Sequence, residues 1–301
     1  MRKTLLALAI LALPAAALRA ASLPEIPITP EWKARMTEKA PDRPAAPPAA
    51  KRKALLFSVM TGFKHWVTPH TAEIVKILGS KTGAYEVVET DDIQAFSAAR
   101  LKPFDAVILN NTCSKNPGRN MFIDLLGADK KEEAARLEQD LIDFVAGGKG
   151  LIVLHGAITF VNSSEPFCDM IGGAFDFHPA QQEVTAAAVD PNHPLVRAFE
   201  GKPFVHVDEP YLFKGAYAKK AFRPLMVMDT SRLSCGNKTR EVQADVRYIA
   251  WVRRHGQGRV FYCSPTHNAQ SFDDPRLLRF MLDGFQYALG DLACDDSPLK
   301  R

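Results

Sequence analysis

Gly147-Gly148-Lys149-Gly150-Leu151-Ile152-Val153-Leu154-His155-Gly156-Ala157 is the stretch whose reading decides the fold. The glycines stop a helix. Residues 151–154 are an unbroken apolar run, the pattern of a strand buried on both faces in a parallel sheet. His155 follows at once. In an open α/β sheet, ligands bind just beyond the carboxyl ends of the strands, so a histidine there is presented to a crevice. The glycines precede the strand, whereas a phosphate-binding loop follows one, so no nucleotide cofactor is expected.

Working outward, residues 54–60, 85–90 and 105–110 read as three further strands. A helix is expected over 68–78, with Thr68 as its N-cap and Pro69 at its first position. Residues 111–120 read as a polar loop. Residues 134, 137, 141, 144 and 145 are apolar at helical spacing, which predicts a helix over 130–146 leading into the opening stretch. This β-α-β-α-β-α-β alternation argues for an α/β fold, a flavodoxin-like three-layer sandwich with a mostly parallel central sheet. Beyond His155 come a helix at 166–171 and a loop over 172–179. Short strands follow at 183–189, 204–206, 224–228, 248–251 and 259–263, then a loop at 264–268 and a closing helix over 275–289.

The 301 residues are 47% hydrophobic and 24% charged, enough to bury a sizeable core. Of the formal charge of +4, Arg2, Lys3 and Arg19 supply three, and the remainder is close to neutral. A nucleic-acid partner is therefore not expected. Residues 1–20 have the parts of a secretory signal peptide: a basic start, a short apolar run at 5–13 and small residues at 15–21. No later segment has 18 uninterrupted apolar residues, so no membrane association is expected after cleavage, and the expected location is secreted or periplasmic. Residues 21–52 form a proline- and alanine-rich arm or linker, with a short helix over 32–39. The α/β domain is expected over 53–290, with a C-terminal tail at 291–301. The five cysteines, at 113, 168, 235, 263 and 294, have no paired or metal-type spacing. Cys263 reads as core; Cys235 and Cys294 read as more exposed, and one disulfide stays open. A homo-oligomer also stays open.

His65, His155 and His267 stand at the ends of three separate strands that would share one sheet edge. Glu209, in His206-Val-Asp-Glu-Pro-Tyr211, adds a carboxylate. Histidines with a carboxylate suit a divalent metal such as zinc, with His155, Glu209 and His267 as ligands drawn from distant loops. The same groups also suit proton transfer without a metal. Acyl transfer is disfavoured, because the strand–turn–helix elbow carries His155 rather than serine or cysteine. Ser163 and Ser164 read as a helix cap. His193 and His255 read as structural.

Several of these segments, in this order, resemble the ThuA-like (trehalose utilisation) family. They are Leu154-His155-Gly156-Ala157, Gly172-Gly173-Ala174-Phe175 with His178-Pro179, Asn192-His193-Pro194-Leu195, Asp208-Glu209-Pro210-Tyr211, and the run from Ala250-Trp251 through 258–262 to Thr266-His267. Glycine often stands in that family where Thr266 precedes the last histidine here. The resemblance implies a class I glutamine-amidotransferase-like fold without the amidotransferase cysteine. It implies an exported sugar-catabolic enzyme acting on oxidised (3-keto) glycosides by lyase, hydrolase or isomerase chemistry. The alternative is a non-catalytic periplasmic carbohydrate-binding protein. His155, Glu209 and His267 would be catalytic, and His65, Phe175, His178 and Tyr211 would contact the sugar.

Overall fold

A computed structural model describes residues 23–116, 118–234 and 247–299. The expected signal peptide and Cys235 lie outside these residues. The strands are β1 (Lys53–Phe57), β2 (Glu86–Thr90), β3 (Ala106–Asn110), β4 (Gly150–Leu154), β5 (Ala174–Phe177), β6 (Gln182–Ala188), β7 (Phe204–Asp208), β8 (Leu212–Lys214), β9 (Arg223–Met228), β10 (Arg247–His255) and β11 (Gly258–Cys263). Nine of them form one sheet in the order β2-β1-β3-β4-β11-β10-β9-β6-β7, and β5 pairs with β8. The run from β2 to β11 is parallel. The remainder is antiparallel.

The α-helices are α1 (Pro30–Lys39), α2 (Thr68–Thr82), α3 (Ala98–Leu101), α4 (Met121–Leu126), α5 (Lys131–Ala146), α6 (Glu165–Ile171) and α7 (Pro275–Leu289). Alternate residues of the central strands feed two cores. Leu56, Ile108, Ile152, Leu154, Phe261 and Cys263 pack with α1, α2 and α7. Phe57, Val107, Val153, Val260 and Tyr262 pack with α4, α5 and α6 on the other face. A strand buried on both faces has no polar side to show, which is why residues 151–154 carry no alternation.

The arm is fastened to the domain. Trp32 and Met36 of α1 are buried in the first core. Each such side chain stabilises by roughly 1.5–3 kcal/mol. Gln286 of α7 accepts from Ala45 N at 2.6 Å and donates to Ala46 O at 2.6 Å.

Three local expectations are corrected. β1 ends at Phe57 rather than at 60, because the chain leaves the sheet to let Thr61 N and Gly62 N donate to Cys113 O at 3.0 and 2.8 Å. Thr68 is the first residue of α2 rather than its cap, with its hydroxyl 3.2 Å from Met60 Sδ. The expected loop at 172–179 contains β5, whose partner β8 lies too far along the chain for local spacing to reveal it. The expected polar loop at 111–120 is present, and its last residue caps α4, with Asn120 Oδ1 accepting from Ile123 N at 3.1 Å. Cys113, Cys168, Cys263 and Cys294 are free thiols, and Cys294 is half-buried.

Candidate metal centre

β4 ends at Leu154, and the backbone turns at His155, whose φ is +45°. A non-glycine residue held there costs about 1 kcal/mol or more, and such strain collects at functional sites. His155 is fully buried. Its Nδ1 faces two acceptors, Ser264 O at 2.8 Å and Asp208 Oδ1 at 3.7 Å. Nδ1 therefore carries the proton and donates, which leaves a lone pair on Nε2. That Nε2 lies 3.1 Å from His267 Nδ1 and 3.4 Å from Glu209 Oε2.

The relative directions of the strands bring Glu209 here. β7 runs parallel to β4 and β11, so its carboxyl end faces the same edge. The antiparallel half of the sheet curls back, and Asn268 Nδ2 donates to Val207 O at 2.8 Å. Glu209 Oε2 then sits 3.3 Å from His267 Nδ1, 3.7 Å from His65 Nε2 and 3.7 Å from His178 Nε2.

His155 Nε2, His267 Nδ1 and Glu209 Oε2 close a triangle with sides of 3.1, 3.4 and 3.3 Å. Zinc–nitrogen bonds of about 2.0–2.1 Å in a tetrahedron imply ligand–ligand edges of about 3.3 Å. With His65, the four ligand atoms lie within 4.8 Å of one another. His65 Nε2 is buried and has no hydrogen-bond partner, as an atom reserved for a ligand would be. Burial opposes ionisation of Glu209, yet the His155 and His65 side chains, 3.4 and 3.7 Å away, outweigh it and hold the carboxyl well below its usual range. Burial first, then the neighbouring His155, push His267 down to about 4, so it is neutral at pH 7. A carboxylate beside neutral imidazole is the protonation state that metal binding requires.

An outer layer holds these ligands. Asp208 is buried, accepts from Glu209 N at 2.7 Å and lies 3.4 Å from His206 Nε2. Burial raises its pKa, but the His206 hydrogen bond and nearby histidines prevail, and it stays below the usual carboxylate range. His65 Nδ1 lies 3.6 Å from Cys113 Sγ. Gly156 makes room for this pair, since a Cβ there would lie 2.7 Å from His65 Cε1 and 2.8 Å from Cys113 Sγ.

His65 and Glu209 open onto a cavity of about 620 Å³. Its aromatic wall is built from Phe175, His178 and Tyr211. The His178 ring stacks on Tyr211 at 5.2 Å, and Phe175 meets Tyr211 edge-on at 4.8 Å. The expected site residues are therefore brought together: His65, His155, Glu209 and His267 as one cluster, with Phe175, His178 and Tyr211 beside it. Sequence reasoning named Asp208 with Glu209 as an acidic pair beside His206 without placing Asp208 and His206 behind the ligands, and it passed over Cys113. His206 and Asp208 stand two apart on one strand and so share a face, a signal that was available. Nothing local marks Cys113. His193 is structural as expected, with Nε2 3.0 Å from Asp295 O, and Ser164 caps α6 through Phe167 N at 3.2 Å.

The profile of the ThuA family, described as trehalose utilisation, matches residues 53–288. The chain belongs to the ThuA family. A protein described as ThuA-like from Bacteroides uniformis superposes with a TM-score of 0.62 at 18% identity, over 81% of this chain and 94% of that one. A second ThuA-like protein, from Parabacteroides merdae, gives 0.56 at 16% identity, over 81% and 92%. At these identities the likeness speaks for the fold of this ThuA family member alone. No curated protein gives a significant match.

Proposed function

We propose that this ThuA family protein is an exported enzyme of sugar breakdown that cleaves oxidised, 3-keto glycosides at a metal-dependent His/Glu site. The closed triangle of His155, His267 and Glu209 at the base of an aromatic-walled cavity is the observation that carries this reading. His155, His267 and Glu209, with His65, would hold the ion, and a bound divalent cation supplies Lewis acidity to the sugar's keto oxygen.

The chain's own residues account for the proton. His178 Nδ1 faces Pro179 O at 2.8 Å and donates to it, so Nε2 presents a lone pair beside Glu209. A 3-keto group acidifies C2–H. His178 Nε2 takes that proton, and the C–H electron pair forms the C2=C3 enolate. The enolate collapses, the C1–O bond breaks with its electrons on the aglycone oxygen, and His178 returns the proton there. The products are an unsaturated keto sugar and a free alcohol. Phe175 and Tyr211 orient the ring.

The test is incubation of the zinc-loaded protein with 3-keto-trehalose, following release of glucose. The expected result is turnover that His155→Ala abolishes and His178→Asn lowers by about 10²-fold or more. Saturable binding of the sugar without product sinks the catalytic reading in favour of a carbohydrate-binding role. Export is tested separately by the N-terminal sequence of the mature protein.

A further inference from the structure

Among the described residues, Glu209 is the single carboxylate lining the cavity, and histidines engage it from several sides. Another part of the lining comes from the loop after β3, which is rich in polar groups that are already used. Ser114 Oγ, Lys115 N and Asn116 Nδ2 all donate to Asp124, at 2.7, 2.9 and 2.6 Å. The Thr61 hydroxyl donates to the same carboxylate. Asn116 Oδ1 accepts from Asn120 N at 3.2 Å. Asp124 on α4 thus takes up the neutral polar groups that the loop brings to the lining.

Two cations in the lining are left over. Lys115 and Arg119 reach the cavity, and among the described residues neither makes a side-chain ion pair or hydrogen bond. The Arg119 guanidinium lies over the Phe175 ring, 4.9 Å from its centre. Stacking uses the face of a guanidinium and leaves its N–H edge open to fork an oxyanion. The backbone holds Arg119 in place at some expense. Its φ is +48°, kept there by Arg119 N donating to Asn116 O and Asn162 N donating to Arg119 O, both at 2.8 Å. The nearest acid on β5, Asp176, lies 3.9 Å from Lys214.

We propose that the cavity takes an anionic sugar, one carrying a carboxylate or phosphate whose oxyanion is bound by Arg119 and Lys115. The sugar ring then packs on Phe175 and Tyr211, between these cations and the His/Glu cluster. This selectivity rests on the sugar reading above and narrows its substrate class.

The test is calorimetric titration of the full chain, at fixed salt, with three matched probes. They are methyl α-D-glucopyranoside, its C6 carboxylate (the glucosiduronate) and its 6-phosphate. The anionic probes are expected to bind about tenfold or more tightly than the neutral one, and the tighter of the two names the oxyanion. Arg119→Ala erases that difference and Arg119→Lys restores part of it. Lys115→Ala, at an exposed position that cannot upset folding, reduces it too. Equal binding of neutral and anionic probes overturns the proposal and leaves the sugar reading standing. Binding of none of the three also overturns the proposal, and the sugar reading is then decided by the 3-keto-trehalose assay. An Arg119→Ala variant that weakens every probe alike also overturns it, since Arg119 would then merely support the aromatic wall.

Discussion

His155 Nε2 and His267 Nδ1 lie 3.1 Å apart, although 112 positions separate the residues along the chain. Two imidazole nitrogens this close share either a proton or a cation. With Glu209 closing the triangle, a divalent cation would satisfy all three contacts at once. The first prediction follows. Purified protein dialysed against zinc should retain about one ion per chain, and His155→Ala or His267→Ala should weaken binding by about 10²-fold or more. Elemental analysis and competition with a chromophoric chelator measure this. Full zinc occupancy in both variants would remove the metal centre.

Asp208 touches no cavity surface, yet it stands behind His155 and beneath Glu209 and His267. Asp208→Asn should keep the fold and lower zinc affinity by about 10- to 100-fold, as loss of an outer partner does elsewhere. Unchanged affinity would make Asp208 a purely structural group.

Gly156→Ala should act on His65. The added Cβ meets the His65 ring and Cys113 Sγ, and Leu154 and His155 on its chain side are fully buried, so the ring must give way. Overpacking of this kind costs about 1–3 kcal/mol. A fall in melting temperature accompanied by weaker zinc binding is expected. A loss of stability with zinc affinity intact would separate His65 from the centre.

Asp283 on α7 governs a pH dependence away from the site. Burial raises its carboxyl from 3.8 to about 6, against the pull of Arg279 at 2.7 Å. The folded state binds this proton more tightly than the unfolded state. The stability it contributes is complete below pH 3.8 and is lost as pH rises to about 6. Asp283→Asn should flatten that slope in urea titrations between these values. At pH 7 the variant should match or exceed the parent by up to about 2 kcal/mol, less whatever the Arg279 ion pair gave. An unaltered slope would show that Asp283 ionises normally.

Trp32→Ala tests the arm. The ring is buried against His70 at 5.0 Å, and its removal should cost about 3–5 kcal/mol. A change below about 0.5 kcal/mol would mean that the arm is held without it.

The strand 150–154, its neighbours and the flanking helices were legible because local burial writes itself into local composition. An apolar run without alternation has one comfortable place, the middle of a sheet covered on both sides. The histidines were legible for a related reason: a polar residue directly after such a run sits at a strand end, and parallel strand ends share an edge. Helix ends were read less well. Thr68 had the chemistry of a cap, but the turn closed by Thr68 N and His65 O at 3.1 Å had already begun the helix.

The tertiary structure decided the rest. β5 and β8 pair across 34 intervening positions, and no local pattern encodes a partner that far away. Asp208 read equally well as a solvated turn, because only the curl of the antiparallel half places it against His155. The sequence by itself determined which residue types stand at the sheet edge. Whether four of them meet within one coordination sphere depended on the twist and curl of nine strands, a property of the whole sheet rather than of any segment in it.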